Sequence, residues 1–269
     1  LMCGDSTKIE DVERLMEGNE SEMLFTSPPY SDMRDYEGSK DLSVSNLVEF
    51  IPNYKDFAKY QIINLGIQRK DNEVVQYWDD YIKKAKESGY KFLSWNVWDK
   101  TQGGSIASAT AMFLLTHEWL FVFGREFKKL NRTIPNQIEK YEARHGSIWK
   151  DGLENKKIRL QDGSIGHTKS KTYSHHQIHS VIQQVPELGK IRENHPAIYP
   201  VLLPASYIEA MTDQDNIVID PFLGSGSTMV ACHQLGRINF GMELEPKYCQ
   251  VIVDRMKKLD PTLEIKING

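Results

Sequence analysis

The segment Asn216-Ile217-Val218-Ile219-Asp220 is followed at once by Pro221-Phe222-Leu223-Gly224-Ser225-Gly226-Ser227-Thr228. Its apolar, β-branched centre predicts a buried strand, and the residues up to Leu235 continue as a helix. The two glycines between them let a ligand approach the backbone closely, because they carry no side chain. A further predicted strand, residues 237–242, is followed by Glu243. A strand, a Gly-x-Gly turn, a helix and a strand ending in an acid form the nucleotide-side half of a Rossmann-like sheet.

The spacing within this half-sheet favours a nucleoside ligand without phosphates. Glu243 comes 17 residues after Gly226, about where an acid accepts ribose hydroxyls in such units. Met229 stands where the dinucleotide fingerprint needs its third glycine, so a pyrophosphate cradle is not predicted. The chain also lacks a Gly-Lys-Ser or Gly-Lys-Thr sequence, which excludes a P-loop.

A second candidate site lies near the other terminus, at Thr26-Ser27-Pro28-Pro29-Tyr30. It follows the apolar run Met23-Leu24-Phe25, which predicts another buried strand. Two successive prolines have a fixed φ and no amide hydrogen, so this strand ends in a rigid, extended corner. Open α/β sheets bind ligands at such strand ends. The hydroxyl and the aromatic ring that flank the corner suit a planar group, although a proline turn with a surface tyrosine remains the alternative.

Strands and helices alternate through most of the remaining chain. Strand patterns occupy residues 60–65, 90–95 and 118–123, and helix patterns occupy residues 47–60, 78–88, 198–211 and 247–258. This alternation predicts an α/β fold with a doubly wound, mostly parallel sheet. The pattern breaks down in residues 125–193, which we interpret as an inserted recognition region. Residues 1–124 and 194–269 would then be the two halves of one domain.

The charge distribution supports that interpretation of the insert. The chain has a net charge of −4, but residues 125–193 hold 14 Lys or Arg against 8 Asp or Glu, a local balance of +6. A basic segment within an acidic protein is a reasonable surface for a polyanion, and a solvated insert is the alternative. Within it, Lys169, Lys171, Tyr173, His175 and His176 are side chains able to contact phosphates and base edges.

Composition bounds the class of protein. A chain of 269 residues with 40% hydrophobic and 26% charged residues is typical of a globular protein. There is no apolar run long enough to span a bilayer and no signal-peptide pattern, so we expect a cytoplasmic protein. The three cysteines are widely spaced, which predicts neither a disulfide framework nor a zinc site. The histidines at 175, 176 and 179 have no acidic or cysteine partner nearby, so we expect no metal site.

The two motifs together resemble those of the DNA amino-methyltransferases. The segment from Asp220 to Gly226 is similar to their S-adenosylmethionine-binding motif, and the segment from Thr26 to Tyr30 is similar to their catalytic tetrapeptide. The catalytic motif comes first, a recognition region follows and the cofactor motif comes last, which is the order of the permuted beta group. Further similarities are Gly4-Asp5, Trp95-Asn96, His117-Glu118, His195-Pro196-Ala197 with Pro200, and Gly241-Met242-Glu243.

The resemblance implies a Rossmann-like methyltransferase fold, a flipped-out target base in double-stranded DNA and direct methyl transfer to its exocyclic amine. It implies catalytic roles for Ser27, Pro28, Pro29 and Tyr30, with Ser27 and the Pro28 carbonyl holding the amine and Tyr30 stacking on the base. By the same pattern Glu243 holds the ribose and Asp5 the adenine side. The implied cofactor-binding residues are Asp5, Thr26, Asp220, Phe222, Gly224, Gly226, Ser227, Thr228 and Glu243.

The serine at position 27 and the His-Pro-Ala-x-x-Pro sequence resemble cytosine-N4 members of the family, whereas adenine-N6 members more often have Asp in the first position. We therefore favour cytosine N4 and keep adenine N6 as the alternative. A protein-glutamine methyltransferase, a nucleic-acid-binding module without catalysis and a nicotinamide oxidoreductase are the remoter alternatives. A second copy of the chain, a cognate restriction nuclease and a fused N-terminal domain are left open as partners.

Overall fold

The computed structural model describes residues 1–29, 48–101, 115–135, 156–160, 162–168, 175–186 and 199–264. The chain divides into two compact units. The main unit comprises Leu1–Lys129 and His179–Gly269, and the second comprises Leu130–Ile178. The second unit falls inside the range 125–193 of the predicted insert, whose role in DNA recognition stays a prediction.

The helices and strands follow one another in this order: β1 (Met2–Cys3), α1 (Ile9–Met16), β2 (Ser21–Thr26), α2 (Phe50–Asn53), β3 (Ala58–Leu65), β4 (Arg69–Lys70), β5 (Glu73–Val74), α3 (Trp78–Glu87), β6 (Lys91–Asp99), β7 (His117–Gly124), β8 (Arg132–Pro135), β9 (Lys156–Arg159), β10 (Ile165–Thr168), β11 (His175–Gln177), β12 (Val181–Gln183), α4 (Leu202–Met211), β13 (Ile217–Asp220), α5 (Ser227–Leu235), β14 (Ile238–Glu243) and α6 (Pro246–Leu259).

Eight strands of the main unit form one sheet in the order β1-β14-β13-β2-β3-β7-β6-β12. The pairs from β1 through β3 are parallel, as is the pair of β6 and β12. Strand β7 is antiparallel to both of its neighbours. The predicted α/β fold with a mostly parallel, Rossmann-like sheet is therefore confirmed.

One face of the sheet is packed against α1, α2 and α3. Leu24 of β2, Ile63 of β3 and Ile219 of β13 point to this face and are wholly buried in the main core. Because side chains alternate along a strand, Phe25 points to the opposite face. There its ring lies 5.6 Å from that of Tyr207, which belongs to α4. The sheet is thus covered by helices on both faces, as alternating strands and helices require.

The helix predicted over residues 47–60 is wrong in its extent. Within the described part of that range, α2 is limited to Phe50–Asn53 and β3 already begins at Ala58. Ala58 pairs with Ser21 of β2, and Tyr60 pairs with both Met23 and Gly124. A central strand that is hydrogen-bonded on both sides satisfies more backbone N–H and C=O groups than a short amphipathic helix containing a proline. The residues from Ala58 onwards therefore form a strand.

The second unit contains β8 to β11, which form two antiparallel pairs, β8 with β11 and β9 with β10. These strands have three or four residues each, too short for the alternation pattern to identify them in the sequence. Strand β12 lies within the predicted insert by number, but it pairs with β6 in the main sheet.

Candidate active site

The parallel strands bring the two sequence motifs to one edge of the sheet. Strand β2 ends at Thr26, immediately before Ser27, and β14 ends at Glu243. Only β13, which ends at Asp220, lies between them. Neighbouring strands are about 4.8 Å apart, so β2 and β14 lie roughly 10 Å apart. That is the placement a site shared by both motifs requires.

Asp220 is the buried centre of this edge. Its Oδ1 accepts hydrogen bonds from Thr26 Oγ1 at 2.7 Å and from the Phe222 amide at 3.1 Å. Its Oδ2 accepts from the Tyr199 hydroxyl at 2.8 Å and from Thr228 Oγ1 at 2.6 Å. Asp220, Thr26 and Thr228 are wholly buried. The carboxylate therefore has four donors and no contact with solvent.

Burial and hydrogen bonding act on the pKa of Asp220 in opposite directions. Burial raises the pKa above its usual range, and the donors from Thr228, Thr26, Tyr199 and the Phe222 amide lower it. Burial also raises the pKa of Tyr199, and the neighbouring Asp220 charge adds to that rise. Tyr199 thus stays neutral and remains a hydrogen-bond donor to the acid.

The glycine turn after β13 requires its glycines. Gly224 has φ of +55° and Gly226 has φ of +83°, the left-handed region that side chains disfavour. A Cβ on Gly226 would come within 3.2 Å of Ile252 on α6. Arg255, also on α6, donates to the Ser225 carbonyl at 3.0 Å and to Ser227 Oγ at 3.2 Å. Residues of α6 therefore contact the turn, in addition to the strand β13 that leads into it.

Glu243 faces the glycine turn from the neighbouring strand. Its Oε2 accepts a hydrogen bond from the Gly224 amide at 2.8 Å, and its Oε1 accepts one from the Glu245 amide at 3.0 Å. The residue is 9% exposed, and burial raises its pKa while the two amides lower it. A carboxylate has about four lone-pair positions, so two remain for donors from outside the chain. This set fits a nucleoside whose ribose carries two adjacent hydroxyls.

Comparison with known proteins identifies the family. The N6_N4_Mtase family, described as DNA methylase, matches residues 22–254, which is most of the chain. The chain belongs to this DNA methylase family. The family predicted from the two motifs is therefore confirmed.

Individual relatives agree with this assignment. The chain is similar to the orphan methyltransferase M.BamHII of Bacillus amyloliquefaciens, with 26% identity over 258 residues and 88% of each chain covered. Its fold matches that of the cytosine-N4-specific PvuII DNA methyltransferase, with a TM-score of 0.63, 17% identity, and 99% of this chain and 86% of that one covered. It also matches the M1.HpyAVI–SAM complex, with a TM-score of 0.58, 19% identity, and coverage of 94% and 97%.

Several residues predicted to bind the cofactor of this DNA methylase have side chains that are engaged within the protein. The hydroxyls of Thr26 and Thr228 donate to Asp220, and Ser227 Oγ donates to the Tyr199 carbonyl at 2.9 Å. Ser227 is 2% exposed. Their predicted cofactor contacts stay predictions, and the observed bonds hold the strand ends and the turn in place.

Phe222 and Asp5 lie at the same edge. Phe222 is partly exposed, and its ring packs edge-to-face on Phe50 with a centroid distance of 5.1 Å. Asp5 follows β1, which pairs with β14 so that Cys3 lies beside Glu243. Asp5 Oδ1 accepts from the Thr7 amide at 3.0 Å, a turn that precedes α1. The N-cap of α1 is Lys8, so this turn precedes the helix without capping it, and the predicted ligand role of Asp5 stays a prediction.

The catalytic tetrapeptide is described only in part. Pro28 is buried, Ser27 and Pro29 are partly exposed, and Tyr30 lies outside the described residues. Lys169, Lys171 and Tyr173 of the predicted DNA surface also lie outside them, as does the sequence from His195 to Ala197. The catalytic and DNA-binding roles of all these residues stay predictions.

The two predicted DNA-contacting histidines that are described lie on β11 in the second unit. His175 is exposed, and His176 is partly exposed with its Nδ1 at 2.8 Å from the Gln177 carbonyl. Within the described ranges no three His, Cys, Asp or Glu residues come together as a metal site would require. The same part of the chain contains no helix that is long and apolar enough to cross a membrane.

Sequence reasoning missed three residues that organise this site, Tyr199, Ser6 and Arg255. Ser6 is buried, and its Oγ donates to the Pro221 carbonyl at 2.6 Å, which fixes the start of the glycine turn. Tyr199 lies between Ala197 and Pro200, two residues that belong to the family resemblance described above. No local pattern indicates that these side chains reach a strand end far away in sequence.

Proposed function

We propose that this chain transfers a methyl group from S-adenosylmethionine to the exocyclic amine of a base in double-stranded DNA, with cytosine N4 as the target. The observation that carries the proposal is the placement of Ser27 and Glu243 at the carboxyl ends of two parallel strands, β2 and β14, with β13 between them. A single cleft at this edge can then hold the methyl donor on one side and the target base on the other.

Glu243, the Gly224–Gly226 turn, Phe222 and Asp5 are the residues that would hold the methyl donor. The free lone pairs of Glu243 suit the two ribose hydroxyls, and the positive φ values of the glycines keep side chains out of the turn. Phe222 offers a partly exposed ring at the same edge. When bound, S-adenosylmethionine supplies an electrophilic methyl group on a sulfonium and leaves as S-adenosylhomocysteine, while the methylated amine gives up one proton.

Ser27 and Pro28 would hold the target amine. The amine of a paired base is not accessible, so the base leaves the duplex at a cost of a few kcal/mol. Ser27 Oγ and the Pro28 carbonyl then accept hydrogen bonds from the two N–H groups of the amine and hold the nitrogen lone pair towards the methyl group. The prolines make this corner rigid, and such positioning supplies about 7–11 kcal/mol of barrier reduction in well-oriented systems.

The choice of cytosine over adenine is supported by the similarity of Ser27 and of the His-Pro-Ala-x-x-Pro sequence to cytosine-N4 members noted above. The PvuII enzyme is cytosine-N4-specific by its name, but at 17% identity its similarity concerns the fold alone. The product separates the two bases directly. Unmethylated DNA is incubated with the chain and isotope-labelled S-adenosylmethionine, digested to nucleosides and analysed by mass spectrometry.

We expect label in N4-methylcytosine. Label only in N6-methyladenine would overturn the cytosine assignment and leave the methyltransferase assignment intact. Ser27→Ala should abolish transfer while calorimetry still measures binding of S-adenosylmethionine. A chain that binds DNA but not S-adenosylmethionine would instead be a nucleic-acid-binding module without catalysis. Sequencing DNA from a host that expresses the chain would give the base and its sequence context together.

A further inference from the structure

The side chains of Thr26, Tyr199, Asp220 and Thr228 form a buried hydrogen-bonded group, here called the Asp220 cluster. Its members come from β2, the segment before α4, β13 and α5. Tyr199 is 9% exposed and the other three are wholly buried. These side chains therefore lie beneath the surface that a cofactor or a base would contact.

We propose that Thr26 and Asp220 are positioning residues, which together set the distance between the catalytic corner and the glycine turn without touching either ligand. This inference rests on the proposed function and says which side chains align the catalytic corner with the glycine turn. Ser27 directly follows Thr26, and Phe222 lies two residues after Asp220. One carboxylate oxygen, Asp220 Oδ1, accepts from both Thr26 Oγ1 and the Phe222 amide. Each side of the proposed cleft is therefore bonded to the same atom.

The backbone alone does not provide this link. The ladder between β13 and β2 consists of the pairs Val218 with Met23 and Ile219 with Leu24. Within these two described strands, no ladder pair follows towards the carboxyl edge. The bond from Thr26 to Asp220 is the next connection in that direction, and it joins the last residues of both strands.

The other carboxylate oxygen explains why an acid suits this position. Asp220 Oδ2 accepts from Tyr199 and Thr228, and Thr228 lies in the first turn of α5, directly after the glycine turn. The turn is thus held at both ends, by Phe222 through Oδ1 and by Thr228 through Oδ2. Asn at position 220 has one acceptor oxygen and would direct its two amide hydrogens at donors.

Methyl transfer is sensitive to such a link because reacting atoms need to approach to about 3–3.5 Å in line, and a displacement of about 1 Å can cost about 100-fold in rate. Thr26→Val keeps the shape of the side chain and removes its hydroxyl. We expect kcat to fall by about 10- to 100-fold. The dissociation constant of S-adenosylmethionine should change by less than about threefold, because Phe222 and Thr228 still hold the glycine turn.

The test compares Thr26→Val with Thr26→Ser, which keeps the hydroxyl and should restore kcat to within about threefold of the unmodified chain. Thr212→Val is the matched control. Thr212 is 2% exposed and its Oγ1 donates to the Ile208 carbonyl at 2.6 Å, away from both strand ends. It should lower thermal stability with kcat unchanged. Should Thr26→Val not fold, Thr26→Ala replaces it, which removes the hydroxyl together with the γ-methyl group.

The measurements are kcat and KM in the methyl-transfer assay, S-adenosylmethionine binding by calorimetry, and thermal unfolding of the ligand-free chain. An unchanged kcat in Thr26→Val, or a loss of S-adenosylmethionine affinity as large as the loss of kcat, would overturn the inference. Failure of Thr26→Ser to restore kcat would overturn it too. If the unmodified chain transfers no methyl group, the proposed function is wrong, and the inference that rests on it is wrong as well.

Discussion

Glu243 Oε2 and the amide nitrogen of Gly224 are 2.8 Å apart, so the acid that ends one strand holds the turn that follows the strand beside it. Asp220, the last residue of β13, pairs with Gly241, so β14 continues two residues further and places Glu243 beside the turn. Two residues separated by 19 positions in sequence are thereby joined at the edge where S-adenosylmethionine is proposed to bind. Substitution of Glu243 tests its proposed role in binding that ligand.

Replacing Glu243 with Gln should weaken S-adenosylmethionine binding by about 10- to 100-fold, because hydrogen bonds to a charged group contribute about 1.5–3 kcal/mol. Gln keeps one oxygen for the Gly224 amide but puts an NH₂ group where a second acceptor stood. Calorimetry on the ligand-free chain measures the effect. Glu13→Gln, on the exposed face of α1, is the control and should bind with unchanged affinity. Equal affinity in Glu243→Gln would contradict the ribose-binding role.

The stability of the ligand-free chain should depend on pH through Glu243. Burial raises the pKa of this group above its ordinary value of 4.5, so the folded chain binds the proton more tightly than the unfolded chain. The stabilisation is fully present below the ordinary value and is lost as pH rises through the raised pKa. Glu243→Gln cannot titrate and should remove this part of the slope. Denaturant unfolding at several pH values between about 4 and 7 measures the free energy of unfolding of both chains. The same pH dependence in the unmodified chain and in Glu243→Gln would refute the prediction.

Gly226→Ala should both destabilise the chain and impair S-adenosylmethionine binding. The φ of +83° costs an L-residue about 1–2 kcal/mol, and the added methyl would lie 3.2 Å from Ile252. Gly18→Ala separates the two effects, because Gly18 has φ of +78° and open space around its Cβ position. It should lose stability with unchanged affinity. A Gly226→Ala chain that binds like the unmodified one would show that the turn tolerates displacement.

Phe123→Ala should lower the free energy of unfolding by about 3–5 kcal/mol, the usual cost of deleting a buried aromatic ring. Phe123 is wholly buried in β7, with its ring centroid 5.3 Å from that of Phe92. Val74→Ala is the control, since Val74 is 44% exposed, and it should change stability by less than about 1 kcal/mol. Denaturant unfolding measures both. A loss in Phe123→Ala no larger than the control's would mean that β7 contributes little to the core.

Local patterns sufficed for the parts of the fold that local physics controls. The strands ending at Thr26, Asp220 and Glu243 were predicted because apolar runs with defined turn residues after them have few other structures available. The helix predicted over residues 47–60 is wrong in its extent, because the last of these residues belong to β3, which pairs with β2 and β7. Propensity within a window contains no information about such partners.

By itself, the amino-acid sequence determined the α/β class, the two motifs, their permuted order and thereby the methylase family, since these depend on residue type and spacing along the chain. Only the tertiary structure decided that β13 lies between β2 and β14 and that Asp220 joins the end of β2 to the glycine turn. Burial makes the difference, because a carboxylate selects Thr26, Tyr199 and Thr228 as partners only once folding has removed water from all of them.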